Sequence, residues 1–244
     1  CTQDLKDEDY INAHYVIMAT KKGVVKKTSL EQYSRPRQNG INAITVRDGD
    51  ELLEAKLTTG TSQIFLGLKS GKAIRFEESK TRPMGRNASG VRGVTLANDE
   101  DEVIGMVSVH NFEEEILVVS EKGYGKRSSI EDYRVTNRGG KGVKTISVTD
   151  KTGGLVAIKN VTDSDDLMII NKSGIAIRMS VEDLRVMGRA TQGVRLINIK
   201  GNDSIAAVAK VMKDEDDLEE SEILDIEVNT EGATEVDDPE EKDG

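Results

Sequence analysis

"KKGVVKKTSLEQY" (21–33) has three companions in the same chain: "KSGKAIRFEESK" (69–80), "EKGYGKRSSIEDY" (121–133) and "KSGIAIRMSVEDL" (172–184). Their shared glycines, Gly23, Gly71, Gly123 and Gly174, stand 48, 52 and 51 residues apart. A second glycine anchor, at Gly40, Gly90, Gly142 and Gly193, repeats at 50, 52 and 51. Two independent anchors holding one period make the chain a tandem repeat, and the repeat decides the fold.

Each unit carries the same strand grammar. A short apolar run precedes the first glycine: "YVIMAT" (15–20), "IFLGL" (64–68), "ILVVS" (116–120) and "LMIIN" (167–171). Such runs are buried-strand candidates. The glycine then turns the chain into a second strand, because a tight hairpin bend needs a residue tolerant of positive φ. After the second glycine, apolar residues fall at +1, +4 and +6 in every unit, as in Val91, Val94 and Leu96 or Val143, Ile146 and Val148. The change of spacing suggests a bulge or bend early in that third strand. A fourth follows as "LLEAKLT" (52–58), "VIGMVSV" (103–109), "LVAIKNV" (155–161) and "IAAVAKV" (205–211). Four strands per period is the arithmetic of a propeller blade and not of a helical solenoid. The expected fold is all-β, with four complete four-stranded blades at roughly 10–58, 59–109, 110–160 and 161–212. The chain has no Trp, so the usual blade dipeptide of Trp and Asp is missing.

Composition narrows the function. Of 244 residues one is Cys (Cys1) and two are His (His14 and His110), which excludes an internal disulfide and the familiar metal-binding spacings. The reading is a cytoplasmic, metal-free chain, with no apolar run long enough to span a membrane and, starting on Cys, cut from something longer. The formal net charge of −10 is unevenly spread. Residues 213–244 hold 2 basic and 16 acidic residues, which leaves 32 basic and 28 acidic residues in 1–212. The body is therefore mildly basic, and the acidic tail 213–244 is expected to be disordered, since it has too little apolar surface to offset its ordering entropy. Two roles are open to it: a tethered polyanion that competes for the basic surface of the body, or a solubilising tail that never touches that surface.

The basic residues follow the repeat. Four positions after the first glycine stand Lys27, Arg75, Arg127 and Arg178. The loops before the second glycine carry Arg35 and Arg37; Arg82 and Arg86; Arg134, Arg138 and Lys141; Arg185 and Arg189. Two residues past the second glycine come Arg92, Lys144 and Arg195, with Asn42 in the first unit. From 82 to 92, 134 to 144 and 185 to 195 there is no Asp or Glu. Repetition on successive blades sets these side chains along one edge as a positive belt, whose natural partner is a phosphate backbone. In "YRVTNRGGKGVKTI" (133–146), the amides of Gly139, Gly140 and Gly142 beside Lys141 form an anion-binding concavity. With eight Phe and Tyr residues in all, stacking on unpaired bases is disfavoured. Bent duplex DNA read with weak sequence preference is the better partner, since no recognition helix is in view.

"GYGKR" (123–127), "GVRG" (90–93), "VMGRATQGV" (186–194) and "DGDELL" (48–53) resemble the C-terminal domain of the DNA gyrase A protein, over nearly all of 10–212. The resemblance implies a β-pinwheel, a propeller variant whose blades exchange strands and whose basic rim wraps DNA. "TNRGGKG" (136–142) resembles that family's Q-R-R-G-G-R-G box in its core but lies on the third unit, so it is a related loop. The implied role is a non-catalytic DNA-wrapping module. It would support negative supercoiling by a holoenzyme made with the N-terminal part of gyrase A, which carries the cleaving tyrosine, and with gyrase B. ATP and Mg would serve that holoenzyme, with no cofactor in this chain, in the cytoplasm of a bacterium at its nucleoid. Two alternatives are the corresponding domain of topoisomerase IV and a protein-interaction propeller that would use its faces.

Overall fold

The computed structural model describes residues 5, 7–111, 113–199, 201 and 203–212. The acidic tail 213–244 lies outside the described residues. A short helix, α1 (Glu8–Ala13), precedes the first unit. The first unit forms β1 (Tyr15–Thr20), β2 (Val24–Ser29) and β3 (Leu52–Thr58); the second forms β4 (Gln63–Leu68), β5 (Lys72–Glu77), β6 (Val91–Arg92) and β7 (Val103–Val109). The third forms β8 (Glu115–Ser120), β9 (Tyr124–Ser129), β10 (Val135–Thr136), β11 (Val143–Lys144) and β12 (Leu155–Val161), and the fourth β13 (Asp165–Asn171), β14 (Ala176–Ser180), β15 (Val194–Arg195) and β16 (Ile205–Met212).

The repeat therefore folds as four small sheets, propeller-like and all-β, but the strands are not shared out as one period per blade. The sheet orders are β3-β1-β2-β6, β10-β5-β4-β7 with β11 also on β5, β12-β8-β9-β15, and β14-β13-β16. The strand after each second glycine belongs to the blade before its own. β6 pairs antiparallel with β2 (Val24↔Arg92), β11 with β5 (Lys72↔Lys144) and β15 with β9 (Tyr124↔Arg195). The expected four strands per blade thus become four, five, four and three, because the fourth sheet receives no strand among the described residues. The matching first-unit stretch, 41–46, is in no strand. β6, β11 and β15 each end after two residues, and the chain bends at 146 after β11 and at 196–197 after β15.

Side-chain alternation explains the continuous apolar runs. Successive residues of a strand face opposite sides of its sheet, and here both sides are buried. Ile64 and Leu66 join Ile17, Val25, Phe76 and Val94 in one core, whereas Phe65 between them packs with Ile116, Val118, Tyr133 and Ile146 in the next. Leu117 and Val119 enter a third core with Leu167, Ile169 and Ile205. Each core thus lies between two blades. β7 packs on β3 and β12, and β12 on β16, which sets these strands inside and the β2, β5 and β9 edges outside.

The anchors are conformational as well as spatial. Gly142 has φ 71°, and a Cβ there would stand 2.7 Å from the Ala73 carbonyl oxygen. Gly174, at φ 88°, has nothing within 4 Å of such a Cβ. Gly174→Ala should therefore cost only the left-handed backbone term, about 1–2 kcal/mol. Gly142→Ala should cost more, since β11 must also back away from β5. Urea denaturation of the two variants measures this, and equal losses would contradict it.

Candidate nucleic-acid interface

Each basic loop runs along the outer edge of the preceding blade. It leaves through a parallel contact at the base four residues past the first glycine: Lys27↔Pro83, Arg75↔Val135 and Arg127↔Val186. The Met84 amide donates to the Lys27 carbonyl (2.7 Å) and the Met187 amide to that of Arg127 (2.8 Å). The loop then returns antiparallel at the second glycine. This path carries Arg82, Arg92, Arg134, Lys141, Lys144, Arg185 and Arg195 on the exposed outer rim, with Arg35 and Arg37 exposed on the first-unit loop.

The same path removes three of the expected contacts from the belt. Lys27, Arg75 and Arg127 are 4%, 8% and 8% exposed, because the loop that reaches their strand covers them. Lys27 Nζ lies 3.7 Å from the buried Glu78 carboxylate and 4.9 Å from the centre of the Tyr15 ring. Arg75 donates to the carbonyls of Ile130 and Tyr133, both at 2.7 Å, and to Gln63 Oε1 at 2.6 Å. Arg127 donates to the Leu184 carbonyl and pairs with Asp163 and, at 3.0 Å, with Glu115. These bases hold blade to blade. Arg178, their fourth-unit equivalent, is exposed and pairs with Asp166 at 2.6 Å.

A second set of arginines is half-buried and spent in the same way. Arg138 donates to the carbonyls of Lys80 and Arg92, each at 3.0 Å, and Arg189 to those of Asp132 (2.9 Å) and Lys144 (2.8 Å). Both clamp a loop to the blade it overlies, and Arg86, at the equivalent position, is also half-buried. The glycine concavity is altered too. The Gly139 amide donates to the Gly93 carbonyl (2.6 Å), and Thr95 donates to the carbonyls of Gly139 and Gly140. Gly140 and Lys141 remain exposed, while Gly142 is the turn described above.

Two buried lysines escaped the sequence reading. Lys26 and Lys126 are wholly buried one residue before the bases just described. Lys26 Nζ donates to the carbonyls of Ala43 (2.5 Å) and Arg86, and Lys126 Nζ to that of Gly188 (2.5 Å). Burial lowers both from the ordinary lysine value, Lys126 to about 8. A signal was present: the same position is Ile74 in the second unit and Ile177 in the fourth, so it faces inward.

Acidic groups gather at the opposite end of the blades, by the glycine turns. Lys21 pairs with Glu51 at 2.7 Å and Lys69 with Glu102 at 3.5 Å. The Asp101 carboxylate accepts from the Ser70 amide and hydroxyl and from the Ala97 amide. Among the described residues no group of three or more His, Cys, Asp or Glu is placed to hold a metal ion. No helix among them is long and apolar enough to cross a membrane.

A family profile described as DNA gyrase C-terminal domain, beta-propeller, matches residues 14–59, 69–110, 114–162 and 165–212, one stretch per unit. The chain belongs to the DNA gyrase A C-terminal domain family. The DNA gyrase A protein of Staphylococcus aureus (strain MRSA252) is 46% identical over 221 residues, which is 90% of this chain and 24% of that protein. That of strain NCTC 8325 / PS 47 is 46% identical over 222 residues, again 90% of this chain and 24% of that one. The chain thus spans about a quarter of the length of these relatives. Among solved structures, the C-terminal domain of DNA topoisomerase IV has a TM-score of 0.78 at 23% identity, covering 88% of this chain and 67% of that one. The DNA gyrase A C-terminal domain has 0.73 at 24%, covering 82% and 67%. At these identities both show the fold alone.

The buried Lys126 makes the stability of this gyrase-family domain pH-dependent. The folded chain releases the Lys126 proton near pH 8, whereas the unfolded chain holds it to the ordinary value of 10.5. Between these values the unfolded state binds more protons, so the Lys126 contribution rises with pH. Lys126→Met should flatten that rise in denaturation midpoints taken across the window. Parallel profiles for the two proteins would contradict it.

Proposed function

We propose that this chain wraps duplex DNA around its outer rim as the non-catalytic C-terminal module of gyrase A. The observation that carries the reading is the recurrence of exposed bases at the same place on successive blades: Arg82 and Arg92, Arg134 and Lys144, Arg185 and Arg195. The blades turn one after another about their inner strands, so the bases follow a curved edge. A duplex that meets them all must bend, and each Lys or Arg that neutralises a phosphate releases counterions in return.

In this reading the cleaving tyrosine belongs to the N-terminal part of gyrase A, and none of Tyr10, Tyr15, Tyr33, Tyr124 and Tyr133 serves that role. ATP and Mg act elsewhere in a holoenzyme formed with gyrase B, this chain holds no cofactor, and the site of action is the bacterial cytoplasm at the nucleoid. The 46% identity to gyrase A relatives favours this over the topoisomerase IV alternative, whose domain resembles the chain in fold at 23% identity.

Replacing Arg134, Lys141 and Lys144 with Gln tests the rim through exposed residues whose side chains clamp nothing among the described residues. Affinity for duplexes of unrelated sequence should fall by a similar factor for each, and the slope of log affinity against log salt should shrink by about three. Unchanged affinity and slope in the folded variant would favour a propeller that binds proteins through its faces.

A further inference from the structure

The described residues hold a second basic feature, at the glycine-turn end, which meets the rim at Arg195. A cleft of about 510 Å3 opens between the third and fourth blades at the glycine-turn end. Tyr124, the first residue of β9, forms its wall and is 7% exposed. Arg195 lies opposite it on β15 and donates to the phenolic oxygen at 3.0 Å. The Arg195 guanidinium and the Lys151 ammonium each stand 5.5 Å from the centre of the Tyr124 ring. Lys122 and Lys172 complete four cations around the opening.

Two carboxylates share the lining, and both are already engaged by turn amides. Glu121 accepts from the Gly154 amide (3.3 Å), and Asp203 from those of Ser173 (3.2 Å) and Ser204 (2.8 Å). Four cations against two carboxylates leave a formal +2. The equivalent cleft between the first and second blades, about 560 Å3, has the opposite sign, with Lys21 and Lys22 facing Glu51, Asp99, Glu100, Asp101 and Glu102, a formal −3. Val24 stands there in the place of Tyr124. The same cleft thus recurs with opposite charge at these two junctions, and the one between the third and fourth blades has the charge and the hydroxyl of an anion site.

The chemistry is specific to an oxyanion with several acceptors. The Tyr124 oxygen accepts from Arg195, and its own hydrogen has no acceptor among the described residues, so it is available to a ligand oxygen. Arg195 offers further N–H donors in a planar fork suited to phosphate, and Lys151 supplies a point charge near the same ring. The hydrogen bond from Arg195, and then the charges of Arg195 and Lys151, lower the Tyr124 phenol from its ordinary value against the opposing effect of burial. Negative charge is thus favoured where the ligand oxygen would sit.

We propose that the cleft between the third and fourth blades binds a phosphate group, with Tyr124, Arg195 and Lys151 as its donors and Lys122 and Lys172 at its mouth. The site goes beyond the rim reading while touching it through Arg195. One source is a backbone phosphate of DNA carried on the rim, and the other is a free phosphorylated anion.

The test uses the full chain, with tripolyphosphate and a short duplex as separate probes, against Tyr124→Phe and Lys151→Gln. Tyr124→Phe keeps the ring beside its two cations and removes the hydroxyl, which is both the donor offered to a ligand and the acceptor of the Arg195 hydrogen bond, whereas Lys151→Gln leaves that hydrogen bond in place; thermal melting checks that both variants fold. Wild type should bind tripolyphosphate saturably, and each variant should weaken that binding about tenfold, a loss typical of one charge-assisted hydrogen bond. If duplex affinity falls in the same variants and tripolyphosphate displaces the duplex, the source is backbone phosphate. If duplex affinity is unmoved while tripolyphosphate binding falls, the source is a free anion. Should wild type bind tripolyphosphate but no duplex, the cleft stands and the DNA reading fails. Absence of saturable tripolyphosphate binding, or equal binding by wild type and both folded variants, overturns the proposal.

Discussion

One carbonyl per junction holds this architecture in register. The Gly23 carbonyl accepts from the amides of Gly93 (2.8 Å) and Val94 (3.2 Å), that of Gly71 from Thr145 (2.8 Å) and Ile146 (3.2 Å), and that of Gly123 from Leu196 (2.8 Å) and Ile197 (3.4 Å). The acceptor is always the first glycine of one unit, and the donors always lie three and four residues past the second glycine of the next. At Gly71 a Cβ would stand 2.8 Å from the Ile146 oxygen, so the approach itself requires glycine. The apolar residue at +4 is thereby delivered into the core between the blades, as Val94 and Ile146 are. The loop before it is left on the outside edge, and the basic rim is a consequence of the junction.

The number of units, the apolar strand of each and the two glycine anchors were legible because they are periodic, and periodicity survives in one dimension. Strand exchange was not legible from the period, since a repeat looks the same whether its third strand stays at home or crosses to a neighbour. It was implied by family resemblance and is visible in the pairing of Val91 with Val25. The misplacement of Lys27, Arg75 and Arg127 has the same origin. A base on a strand that ended its own sheet would face water, but the next unit's loop closes over it. Alternation along the strand carried part of the answer, because Ile74, wholly buried with Lys126 as its equivalent, marks an inward position.

The bases therefore divide by what they meet. Lys27 on β2, Arg75 on β5 and Arg127 on β9 meet backbone carbonyls and carboxylates of the neighbouring blade, where desolvation is offset only by those partners and the loss of one would leave others unpaired. The exposed bases of the loops and of β6, β11 and β15 face outward, and in the proposed function they exchange water for phosphate. Where one residue type is clamped at one position and exposed a few positions away, charge alone does not tell the two apart. Lys141 and Arg138 belong to one loop, yet one is exposed and the other is tied to two carbonyls.

On the proposed function, the exposed rim curves the duplex it binds. Energy transfer between dyes at the two ends of a short duplex reports that curvature directly at saturating protein. Transfer should rise with occupancy and return to the free value as salt releases the complex. A duplex that binds to saturation with its ends as far apart as in free DNA would contradict it.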